Sequence, residues 1–330
     1  MASITGAAAL VGQRSSPPRL LFVLRRMRRF VLSVAALVVL CFAMLQFVPG
    51  DPVRAALGAG ADENLVVDTR AKLGLDQPVT AQFVTYLGNV ASGDFGTSIT
   101  TRQPVSEILA QRLPSTLGLT AAAFVATLVL AIPIGLLVGI ACRHGRRPAL
   151  GLSFTGIAGF LSVVPEFLLA VGMVFFFAVT LGWFPVAGRS GAESFVLPVA
   201  ALAAAPAAVL ARLVRVETEA AFQEGYVQTA RAKRLRSHTI YFKHVLPNSL
   251  TSALTVGGLM FGALIAGTVL VENVFSWPGL GRTMVDAIVG KDYPVVQAIV
   301  LVYGTGVLLV NLVVDLLLAW VDPRSAVLEQ

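Results

Sequence analysis

Six long apolar stretches, separated by shorter charged or turn-rich ones, set the pattern of this chain. Phe30 to Val48 carries no charge and follows a lead-in of Arg25, Arg26, Arg28 and Arg29. Leu113 to Cys142 is again uncharged, and Pro148 to Trp183 is apolar but for Glu166. Glu193 to Val214, Leu250 to Val271 and Pro294 to Trp320 complete the set. An uninterrupted apolar run of about 20 residues is what a helix needs to cross a hydrocarbon core roughly 30 Å thick. The pattern therefore predicts an all-α integral membrane protein with six transmembrane helices.

The third stretch needs a decision. A helix of about 34 residues is roughly 51 Å long, too long for one straight crossing and conceivable as two. Two crossings would put Arg212 to Lys243 outside the cell, against the preference of Lys and Arg for the cytoplasmic face. One crossing, broken or kinked near Pro165, is the better account. In this arrangement 17 of the 25 Lys and Arg residues fall on the cytoplasmic side, with both termini.

The intervening segments divide the chain further. Residues 1–19 are small, polar and Pro-containing, and read as a disordered cytoplasmic start. Residues 20–48 are the basic lead-in and first span. The start resembles a signal peptide, but the apolar run is long for one and ends in Phe-Val-Pro-Gly-Asp-Pro, without a small-residue cleavage site. Residues 49–113 are mixed and charged, and read as an extracytoplasmic helical segment. Asp62 opens a helix to Leu73, Pro78 one to Val90, and Pro104 one to Leu113. Residues 114–324 hold the other five spans, with a basic loop over 217–247, and 325–330 form a cytoplasmic tail.

Composition agrees and adds exclusions. The chain is 56% hydrophobic and 13% charged, with a mean hydropathy of +0.80. Soluble domains carry about a quarter charged residues. The net charge of +7 is explained by cytoplasmic loops beside a lipid bilayer, so nucleic acid is not an expected partner. Cys41 and Cys142 both lie in apolar runs and imply no disulfide framework. Catalysis finds no support. Gly290-Lys291 lacks the upstream glycine of a phosphate loop and is followed by Asp. His144, His238 and His244 have no metal spacing, and Ser190 misses the G-x-S-x-G pattern by one position.

Some residues inside the spans call for a reason. Gly135 with Gly139, and Gly258 with Gly262, have the small-xxx-small spacing that lets helices approach closely. Glu166 and Asp315 each cost about 3 kcal/mol at mid-bilayer on insertion scales. Asp315 lies near the inner end, within reach of interfacial water or an arginine. Glu166 is deeper, beside Pro165, and is a candidate pathway or proton-relay residue.

The basic loop carries the sharpest pattern. Permeases of ABC importers have a cytoplasmic E-A-A-x3-G-x9-I-x-L-P signature. With its end set on Leu246-Pro247, it falls on Gln228, Thr229, Ala230, Arg234 and His244, and only Ala230, Leu246 and Pro247 match. The neighbours sharpen it: Tyr226-Val227 followed by Thr229-Ala230-Arg231-Ala232-Lys233 resembles the Y-V-x-T-A-R-A-K-G-L version found in dipeptide, oligopeptide and nickel permeases. Other blocks resemble the first permease subunit of that family, of the dipeptide-permease kind. These are Pro49-Gly50-Asp51-Pro52, Leu73-Gly74-Leu75-Asp76-Gln77-Pro78, Gly93-Asp94-Phe95-Gly96-Thr97-Ser98, Gln103-Pro104-Val105 and Arg112-Leu113-Pro114. Glu272-Asn273-Val274-Phe275, Trp277-Pro278-Gly279-Leu280-Gly281-Arg282, Asp292-Tyr293-Pro294-Val295-Val296-Gln297 and Asp322-Pro323-Arg324 follow in the family's order.

The resemblance implies a type I ABC importer permease fold in a bacterial inner membrane, and transport of short peptides without chemistry in this chain. It also implies a second homologous permease, two ATP-binding subunits that hold ATP and Mg, and an extracytoplasmic substrate-binding protein. The ATPase-coupling residues would be Gln228, Thr229, Ala230, Arg231, Ala232, Lys233, Arg234, Leu235, His244, Leu246 and Pro247. In that picture Ala230 packs on the ATPase, and Arg231 and Lys233 set orientation. Arg234 departs from the family, which has glycine there; it must either take a left-handed conformation or shift the turn by a residue. The competing reading is a proton-coupled secondary transporter with Glu166 as relay, although no internal repeat supports it. A membrane scaffold fits the helices but not the blocks.

Overall fold

The computed structural model describes residues 19–47, 52–58, 60–72, 74 and 76–321. The expected disordered start and the 325–330 tail lie outside the described residues. So do Pro49-Gly50-Asp51, Leu73, Leu75 and Asp322-Pro323-Arg324 of the family blocks. Among the described residues the chain is helical throughout, with a lone antiparallel bridge between Thr97 and Pro104.

In chain order the helices are α1 (Arg19–Gln46), α2 (Pro52–Leu57), α3 (Glu63–Lys72), α4 (Val79–Ser92), α5 (Val105–Cys142), α6 (Pro148–Val163) and α7 (Glu166–Met173). Then come α8 (Val196–Ala221), α9 (Gly225–Ala232), α10 (Ser237–Thr239), α11 (Leu246–Val274), α12 (Leu280–Val289) and α13 (Tyr293–Val321). Among the described residues, five stretches are long and apolar enough to cross a membrane: Phe22–Met44, Val105–Cys142, Ala192–Ala221, Thr255–Val274 and Tyr293–Leu317. The sixth candidate is the broken pair α6 and α7, the latter extended by a π-helical run, Val174–Thr180.

One expectation is corrected and another is sharpened. The helix opened by Pro104 does not stop at Leu113. It continues through Pro114 and Pro133 as the single 38-residue α5, so no break separates the outer segment from the second span. Of the two forms expected near Pro165, broken or kinked, the structure has the break, with a 98° turn. Proline removes an N–H and pushes the residue before it out of the helical region. Val164 accordingly sits at ψ 124 and Pro165 at ψ 137 before α7 begins.

Helix contacts explain the paired glycines. A Cβ on Gly135 would stand 2.5 Å from the Ala211 carbonyl oxygen, and one on Gly139 would stand 2.8 Å from the Thr218 side chain. Both face α8, so α5 and α8 meet backbone to backbone. Gly258 and Gly262 face α13 in the same way, against Val314 and Asn311. The small-xxx-small pairs therefore serve contacts inside the chain. At the other side of the bundle α1 lies on α13, where Gln297 Nε2 donates to the Cys41 carbonyl at 2.8 Å. Arg26 pairs with Asp315 at 2.9 Å, which supplies the arginine expected for that acid.

Candidate functional site

The basic loop folds as a helix, a tight turn and a second helical run. Thr229 and Ala230 carbonyls accept the N–H groups of Lys233 and Leu235, and that of Arg231 accepts Arg234 N–H. The last two bonds form a Schellman motif, in which the residue after the cap is left-handed and usually glycine. Arg234 occupies that position at φ 55. The first of the two alternatives for this residue is thus the one realised: the turn keeps its register and the arginine takes the left-handed conformation. After the turn, α10 passes through a π-helical turn, Ile240–Val245, into α11 at Leu246-Pro247.

The loop has a buried and an open face. Val227, Ala230, Ile240 and Val245 form an apolar cluster with Ala221 and Phe222. Gln228, Thr229, Arg231, Ala232, Lys233, Arg234, Leu235 and Pro247 are exposed, while His244 and Leu246 are half-buried. Ala230 is only 4% exposed, which corrects the expectation that its side chain meets a partner. Ala230 shares its cluster with Ile240 and Val245 of the π-helical turn; the surface offered outward is that of Gln228, Thr229 and Ala232. Burial first, and the Glu224 carboxylate second, raise the Tyr226 phenol above its ordinary value, so it remains neutral.

A cation holds this loop to the end of α5. The Arg143 guanidinium lies 5.7 Å from the Phe222 ring centroid and 5.4 Å from that of Tyr241, and it donates to the Tyr241 hydroxyl. The two rings meet edge to face at 5.7 Å, and Arg231 approaches Phe222 at 5.6 Å. Sequence reading did not single out Arg143, which stood only among the 17 cytoplasmic Lys and Arg residues. The signal available was an aromatic residue on each side of the loop, Phe222 and Tyr241, at the end of two apolar spans. Nearby, Arg215 joins α8 to α6 by donating to the Gly151 carbonyl and to Thr155 Oγ1, each at 2.9 Å, and is held along α8 by Glu219 at 2.9 Å.

Glu166 opens α7 just after the 98° turn. Its carboxylate occupies a notch left by Gly267 on α11, where a Cβ would stand 2.4 Å from Oε2. A carboxylate at a helix N-terminus is favoured by the helix dipole. Among the described residues no side chain forms an ion pair with it.

At the end of the bundle away from the loop, several family blocks knot together. Glu272, wholly buried, accepts hydrogen bonds from Thr116 Oγ1 at 2.7 Å, Gly281 N–H at 2.7 Å and Arg282 N–H at 3.3 Å. Thr116 Oγ1 accepts Leu280 N–H at 2.8 Å, and the buried Trp277 donates Nε1–H to the Ser115 carbonyl at 3.2 Å. Asp292, also buried, accepts from Ser98 Oγ, from Thr100 Oγ1 at 2.6 Å and from Ile99 N–H at 3.2 Å. A buried carboxylate is tolerated when several donors satisfy it. These two fasten the Gly93–Ser98 block to the Asp292 block, and the Trp277–Arg282 block to α5. Among the described residues no cluster of His, Cys, Asp or Glu is arranged to hold a metal.

Comparison with known proteins gives a consistent set of likenesses. The family described as binding-protein-dependent transport system inner membrane component matches residues 131–327, and its N-terminal membrane-component family matches residues 19–120. The glutathione transport system permease protein GsiC of Salmonella choleraesuis (strain SC-B67) is 39% identical over 307 residues, 92% of this chain and 97% of that protein. GsiC of Escherichia coli (strain K12) is 37% identical over 303 residues with the same coverage. Among solved structures, an inward-facing form of the MetNI methionine ABC transporter superposes with a TM-score of 0.54 at 20% identity. It covers 65% of this chain and 96% of that one.

Proposed function

This chain belongs to the binding-protein-dependent inner-membrane components, the permeases of ABC importers, and on that premise we propose that it is the first permease subunit of a short-peptide importer. Membership removes the proton-coupled alternative and places the chain in the membrane as a multi-pass, non-enzymatic subunit. Such permeases work with separate ATPases and a binding protein. In this reading one homologous permease completes the pathway, and two ATPases, holding ATP and Mg, seat on the loops at the basic end. The observation that carries the peptide reading is the 39% identity along nearly the full length of a permease for glutathione, itself a tripeptide. Dipeptides and longer oligopeptides belong to the same substrate class.

The geometry supports an assignment of roles within this reading. Residues 225–247 form the coupling element, with Gln228, Thr229, Arg231, Ala232 and Lys233 facing the ATPase. Closure of the ATPases draws the loops together and rocks the bundles between inward and outward states. Glu166 lines the pathway at the turn of the broken span. The test is uptake by proteoliposomes carrying all subunits, offered a labelled dipeptide, glutathione, a nickel chelate and haem in turn. ATP-dependent accumulation of a peptide is expected. Accumulation of only a non-peptide cargo, or of peptide without ATP, contradicts the proposal.

A further inference from the structure

We propose that Arg143 is the positioning residue that makes the coupling loop and α5 move as one body, so that displacement of the loop reaches the knot at the opposite end. This rests on the reading of residues 225–247 as the ATPase seat. Three observations carry it.

The first is the geometry at Arg143. Its side chain is the one polar tie described between the end of α5 and the loop: ring faces of Phe222 and Tyr241 on the guanidinium, and a hydrogen bond to the Tyr241 hydroxyl. Phe222 precedes α9 and Tyr241 follows the turn, so one cation clasps both flanks of the loop. The remaining contact from α5 is apolar, Ile140 against the Val227–Ala230 cluster. An apolar contact permits sliding, whereas a hydrogen-bonded cation fixes an angle.

The second is that α5 is longer than a hydrocarbon core is thick, roughly 30 Å. It is one helix of 38 residues, Val105–Cys142, about 57 Å long at 1.5 Å per residue. Its close packing on α8 through Gly135 and Gly139 makes the pair a stiff unit.

The third is what α5 holds at its far end. Ser115 and Thr116 engage Trp277, Leu280 and Glu272 by the hydrogen bonds described above, and Arg189 Nη1 donates to Ser115 Oγ at 3.0 Å while its guanidinium lies 5.7 Å from the Trp277 ring. The loop and the knot are therefore attached to opposite ends of the same helix. Coupling between two sites needs an element that both can bias, and α5 is attached to both.

The test uses the complete importer in nanodiscs. Cys41 and Cys142 are buried, so a spin label on Val289→Cys, in the exposed end of α12, reports selectively. Its distance to a label on the second permease is measured before and after trapping with ATP and vanadate. In the parent protein trapping shifts the distance distribution. In Arg143→Ala the ratio of shifted to unshifted molecules is expected to fall roughly tenfold, within the range that side-chain coupling carries, while ATP hydrolysis persists. Arg143→Lys keeps a cation and restores part of the shift; Tyr241→Phe keeps the ring and loses the hydrogen bond, with a smaller deficit. A full shift in Arg143→Ala overturns the proposal. A parallel arm cross-links Ala232→Cys to the ATPase: no cross-link removes the seat itself and this proposal with it, whereas a cross-link with a full shift removes only the role of Arg143.

Discussion

Arg234 occupies a backbone position built for glycine, with φ 55 at the left-handed residue of a Schellman turn. A side chain there costs about 1 kcal/mol through the clash of Cβ with the following carbonyl. Arg234→Gly removes that clash but adds freedom to the unfolded chain, so the subunit should melt at or slightly above the parent temperature. Arg234→Val adds branching at the same place and should melt lower, by about 1 kcal/mol or more of stability. Thermal unfolding of the detergent-purified chain reads both, and an unchanged Val variant contradicts the turn. The position of this strain was legible only through the family resemblance, whose pattern has glycine where Arg stands, and a turn shifted by one residue was the open alternative. The facing of Ala230 was not. Sequence gives a helix its periodicity, but which side of a short amphipathic helix is inside depends on Ile240 and Val245, beyond a turn of unknown angle.

At the scale of elements, the helix–helix contacts follow from where glycine removes a side chain. Gly135→Ala drives a Cβ into the Ala211 carbonyl oxygen at 2.5 Å, and neither backbone can yield without parting α5 from α8. A loss of about 1–3 kcal/mol is expected, the usual cost of overpacking a close contact. Gly262→Ala meets only side chains, those of Asn311 and Val307, both at 3.3 Å; these give way more easily than a backbone carbonyl, and the change should cost markedly less. Folded yield and melting temperature of the two variants decide this, and equal losses contradict the close approach of α5 and α8. The spans were legible because each is a long apolar run with few or no charges. The continuity of α5 was not, because Arg112, Leu113 and Pro114 look like a helix end. Inside a bundle, proline in a helix is accommodated when neighbours support the freed backbone. The break at Pro165 was legible as a position; its 98° angle is set by packing of α7 on α8 and α11, which no local pattern records.

For the whole molecule, the arrangement separates a basic end that carries the loop from an end knotted by buried acids. The basic end was readable from the placement of Lys and Arg. The knot was readable only as a series of family blocks, since Glu272 and Asp292 find their donors 156 and 194 residues away, at Thr116 and Ser98. Between the two ends run α5 and α8, and the account holds that an ATPase seated on the loop drives them. The most direct test is site-specific cross-linking in the assembled importer. Ala230 and Ala232 are two residues apart, about 200° around α9, one buried and one exposed. Ala232→Cys should cross-link to the ATPase and lose ATP-driven uptake when cross-linked, whereas Ala230→Cys should do neither. Failure of Ala232→Cys, and of cysteines at the exposed Gln228 and Thr229, to reach the ATPase in a complex that still transports would contradict the account.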